Sequence, residues 1–132
     1  MDIRDRLLGR GVQLNTGRPN VAYLVRNRLG VELDLFLAQI YAAFDGFPEG
    51  VVDGGSCIRI WPISEVIENA ELSDRNPTER VPFADFMMES ERISFDLSRK
   101  DSPILYVDTA EKLADSAAQF FVDLAAGNLD FL

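Results

Sequence analysis

The chain has 132 residues, 47% of them hydrophobic and 27% charged, with a formal charge of -9, which predicts one globular domain rather than a disordered or fibrous chain. It contains no histidine and a single cysteine, Cys57, which excludes Ser-His-Asp triads, Cys-His pairs, tetrahedral zinc sites and an intramolecular disulfide. No apolar run reaches the ~20 residues that cross a bilayer, and the first residues lack the apolar stretch of a signal peptide, so the expectation is a cytoplasmic domain with no membrane contact.

In chain order, Ile3, Leu7 and Leu8 predict a short opening helix that stops at Gly9 and Gly11. Pro19 then primes a second helix, whose apolar positions Val21, Leu24, Val25 and Leu29 share a face, with Gly30 placed as its cap. Leu33, Phe36, Leu37, Ile40, Tyr41 and Phe44 form one continuous stripe, the strongest helical pattern in the chain. That helix is expected to end at Asp45-Gly46, with Gly46 left-handed and Phe47 folded back as in a Schellman cap. Asp45 would then face the negative end of a helix dipole at a cost of ~0.3 to 1 kcal/mol, a misfit that leaves a binding role open.

Residues 57–61 read as a strand ended by Pro62. Ser64 is placed to cap a helix with Ile63, Val66, Ile67 and Ala70 inward and the acids Glu65, Glu68 and Glu71 outward. After a polar loop over residues 73–79, residues 81–88 read as a strand. Residues 92–97 alternate strictly, predicting Ile93, Phe95 and Leu97 on one face and Arg92, Ser94 and Asp96 on a wet one. Short links imply antiparallel pairing, and residues 103–107 complete the meander. Asp108 and Glu111 suggest a capping box opening the last helix, with Leu113, Ala117, Phe120, Phe121 and Leu124 buried and Gly127 as its cap. The fold class is therefore α+β: an antiparallel meander of about four to six strands flanked by N-terminal helices and a C-terminal helix.

Charge is unevenly distributed. Residues 1–28 hold six arginines against two aspartates, a local +4, while the remaining 7 basic and 20 acidic residues give -13. So acidic a body repels phosphate backbones, which predicts no nucleic-acid partner. Neither Gly9-Arg10-Gly11 nor Asp53-Gly54-Gly55 continues into a phosphate-binding pattern. Asp45, Glu49 and Asp53 are spaced by four rather than in the alternating order of a calcium loop, so no metal and no cofactor is expected. Among 22 acids some pair will always suit a carboxylate hydrolase, so that signal is nearly empty. Trp61, the only tryptophan, is either a partner anchor or the seal of a core edge, with the core favoured. Cys57 reads as a small buried hydrophobe.

The order of these pieces resembles the SUKH superfamily, the domain of fungal cell-wall assembly regulators and many bacterial immunity proteins. The resemblance is carried by YAAFDGF at 41–47, IRIWPISEVI at 58–67, VPFAD at 81–85, the alternating strand at 93–97, ILYVD at 104–108 and a closing helix with LADS at 113–116 and Phe120. It covers about residues 30–127 of one domain spanning 1–132, with 1–28 as an Arg-rich helical addition. The resemblance implies a non-enzymatic protein-binding domain, in bacteria often the antidote to a toxin, commonly a nuclease. An acidic surface would suit a basic toxin and speed association, and the candidate contacts are Asp45, Glu49, Trp61, Glu65, Glu68, Glu71, Asp74 and Glu79. The alternative is a regulatory domain sensing a small molecule in an apolar pocket between the sheet and the helix of Phe36 and Phe44.

Overall fold

The computed structural model describes residues 2–72, 80–86, 91–99 and 102–129. Five helices, α1 (Ile3–Gly9), α2 (Val21–Leu29), α3 (Leu35–Ala43), α4 (Ile63–Leu72) and α5 (Ala117–Ala126), accompany strands β1 (Ile58–Ile60), β2 (Arg80–Phe86), β3 (Glu91–Asp96), β4 (Ile104–Tyr106) and β5 (Lys112–Ala114). The strands pair antiparallel in the order β1-β2-β3-β4-β5. This is the expected α+β meander, with α4 spliced into the connection between β1 and β2. No helix among the described residues is long and apolar enough to cross a membrane.

The helices form where the sequence supplies both an apolar stripe and a cap. Asp2 accepts from the Asp5 amide at the head of α1, and Asp34 accepts from the Phe36 and Leu37 amides at the head of α3. Gly30 and Gly127 end α2 and α5 in the left-handed conformation predicted for them. One hydrophobic cluster runs from Ile3 to Ala125. Its centre is aromatic: Phe83 of β2 lies 5.5 Å from Phe95, 5.7 Å from Phe120 and 5.9 Å from Phe121, and Phe121 reaches Phe36 of α3 at 6.2 Å. Helix α5 thus supplies the second layer that the sheet requires. Its rings lie between α3 and the sheet, Phe121 against Phe36 on one side and both Phe120 and Phe121 against Phe83 on the other.

Several local expectations are corrected. Residues 108–111 do not begin the last helix. Ala110 has φ +57°, a left-handed value no helix interior accommodates, and the chain leaves this turn as β5. Ser116 caps α5 instead, accepting from the Gln119 amide, and Leu113 is a strand residue. The sheet face predicted to be wet is partly closed, since Ser94 is fully buried and Asp96 is buried. Both satisfy their polar atoms locally, Ser94 Oγ donating to Leu105 O at 3.4 Å and Asp96 Oδ1 accepting from the Ser98 amide and hydroxyl at 3.0 and 2.6 Å. Strand β1 starts one residue late because Cys57 has φ +61°, and Cys57 is half-buried rather than buried.

The end of α3 is also different from a Schellman cap. The helix stops at Ala43, and Phe44 is extended (φ -154°, ψ 142°) and bridges to Thr16. Asp45 N–H donates to Asn15 O and Asn15 N–H to Gly46 O, so residues 44–46 pair with the connector that precedes α2. Gly46 is left-handed at φ +67° as expected. The close approach of its backbone to β1's end is a second requirement, because a Cβ there would sit 2.5 Å from the Trp61 carbonyl.

Candidate functional site

Helix α4 has two faces. Ile63, Val66, Ile67 and Ala70 are buried, and the opposite stripe, Glu65, Glu68, Asn69 and Leu72 at i, i+3, i+4 and i+7, lines a cleft of about 520 Å³. The facing wall comes from the sheet. Arg59 and Trp61 stand two apart on the chain leaving β1, Arg92 comes from β3, and Glu49 closes one end. Across the strands, Arg59 pairs in register with Asp85 of β2 and Asp85 with Arg92, so three charged residues lie in one row on the same face.

Three of the polar side chains in this cleft, Arg59, Glu65 and Trp61, are spent on its own walls. Arg59, 8% exposed, holds Glu65 in a forked pair at 2.8 and 3.2 Å and donates from Nε to Pro48 O at 3.1 Å. A guanidinium bonded in this way ties the 47–49 loop to α4. Trp61, 3% exposed, donates its indole N–H to Asp85 Oδ2 at 2.6 Å. The Tyr41 hydroxyl donates to Trp61 O at 2.9 Å, and burial, reinforced by the charges of Asp45 and Glu65, pushes its phenol well above the ordinary value, so it stays neutral. By contrast the exposed Glu49 and Glu68 and the half-buried Arg92 make no ion pair or side-chain hydrogen bond within the described residues. Asn69 Oδ1 is closed off from solvent and accepts no hydrogen bond from the described residues.

No protein-family model matches this chain, and no curated protein matches it. The cleft's reading therefore rests on its own geometry.

Of the residues singled out from the sequence, Glu49, Trp61, Glu65 and Glu68 come together in this cleft. Trp61 does so as a buried side chain with its indole already bonded, which is the core role rather than that of a protruding anchor. Glu71 turns away and pairs with Arg28 of α2. Asp74 and Glu79 lie outside the described residues. Asp45 is buried elsewhere, where its Oδ1 accepts from the Ile63 amide at 2.7 Å and its Oδ2 lies 3.8 Å from Arg18 Nε. It thus occupies the positive N-terminal end of α4, where an acid is favourable. The expected dipole misfit disappears, and Ser64, the expected cap, is an exposed residue within the helix.

Sequence reasoning missed Arg59, Asn69, Leu72, Asp85 and Arg92. The first three carried a signal: Arg59 shares a strand face with Trp61, and Asn69 and Leu72 continue the helical stripe of Glu65. Asp85 and Arg92 carried none, because their position depends on strand register. Among the described residues no three of Asp, Glu, Cys or His gather in a way that could hold a metal ion.

Proposed function

We propose that this chain is a non-catalytic protein-binding domain that engages a basic partner through the cleft between α4 and the sheet. The immunity role implied by the SUKH resemblance makes that partner a toxin domain in the cytoplasm. The observation that carries the reading is the charge balance of the cleft. Arg59 is matched by Glu65, and of the charges that make no ion pair among the described residues the cleft holds two acids, Glu49 and Glu68, against one cation, Arg92. Added to a net charge of -9, this favours a positively charged surface and fast, salt-sensitive association.

The test is to express the chain with the toxin-like product of a neighbouring gene and to measure both protection and affinity. The expected outcome is a stoichiometric complex that restores growth, with association slowed roughly tenfold or more by the double substitution Glu49→Lys/Glu68→Lys. Cells equally sensitive with and without the chain, together with no complex, would remove the immunity role. Two carboxylates in one cleft are also the minimum equipment of a glycoside hydrolase. Turnover of aryl glycosides by the pure chain, abolished by Glu68→Gln, would replace the binding reading.

A further inference from the structure

We draw no further inference here: the strongest candidate, the groove of about 420 Å³ between α1 and α3 lined by Ile3, Phe36, Ile40, Ala43 and Phe44, is an unpartnered apolar face, and nothing in the structure shows what covers it.

Discussion

Asp53 lies 2% exposed between Arg10, which donates to it at 2.9 Å, and Ser56, whose hydroxyl and amide donate at 2.8 and 3.0 Å. Burial by itself would raise the carboxyl, but the bonds from Arg10 and Ser56 and the Arg10 charge outweigh it and hold the group below its ordinary range. Because the folded-state pKa is depressed, the interaction stabilises fully above the unfolded value near ~3.9 and is lost as pH falls through the folded value. Asp53→Asn should therefore cost about 1–2 kcal/mol at neutral pH. Its melting temperature should fall less steeply than the parent's on acidification below about pH 4, as followed by circular dichroism. Asp45 acts at the same scale. Asp45→Ala removes the acceptor for the Ile63 amide and should cost about 1–2 kcal/mol in urea unfolding. Asp45→Asn, which keeps an oxygen but not the charge, should cost only about 0.3–1 kcal/mol.

At the scale of elements, two glycines allow close backbone approaches, Gly46 to the end of β1 and Gly17 to the end of α3. A Cβ on Gly46 would lie 2.5 Å from the Trp61 carbonyl carbon and oxygen, and a Cβ on Gly17 would lie 1.9 Å from Ala42 O. Both neighbours are backbone and cannot swing aside, so Gly46→Ala and Gly17→Ala should each cost at least about 2 kcal/mol. Gly9, at the end of α1 with nothing within 4 Å, is the control. Gly9→Ala should be neutral or stabilising by about 0.4–1 kcal/mol. Equal costs at all three positions would show that backbone entropy rather than close approach governs them. The sequence could mark Gly46 as a turn residue, because the end of the Phe44 stripe and Pro48 frame it. It could not show that β1 runs against it, since that contact joins residues fifteen apart through a fold still to be made.

At the scale of the whole molecule, the Arg-rich start is part of the core rather than an appendage. Helix α1 packs against α5, and Ile3, Leu7 and Val12 are buried in the same cluster as Phe120 and Phe121. Arg10 crosses to Asp53, and its guanidinium lies so close to Gly127 that a Cβ there would meet Nη1 at 2.3 Å. Removing residues 1–11 exposes the apolar partners of Ile3 and Leu7 at roughly 1.5–3 kcal/mol per side chain and leaves Asp53 buried without its cation. Against a total stability of ~5–15 kcal/mol, the truncated chain should lose its cooperative thermal transition. A truncated chain that melts within a few degrees of the parent would show that the N-terminal helix is dispensable.

Local patterning by itself determined the helices, the antiparallel meander and the aromatic core. Amphipathic spacing, strand alternation and short links are nearest-neighbour properties, as the stripes of α3 and α5 and the caps at Gly30 and Gly127 illustrate. The sequence also marked acids on the outer side of α4, two of which, Glu65 and Glu68, reached the cleft. Tertiary structure decided the rest. It turned Glu71 to Arg28, used Asp45 to cap a helix eighteen residues away, and replaced the expected capping box at 108–111 with a turn into β5, which pairs with β4. It also assembled Arg59, Asp85 and Arg92 into one row, because strand register joins residues that no local pattern connects. Which acids remain unmatched, and so can meet a partner, is fixed only once every other charge has found its neighbour in the fold.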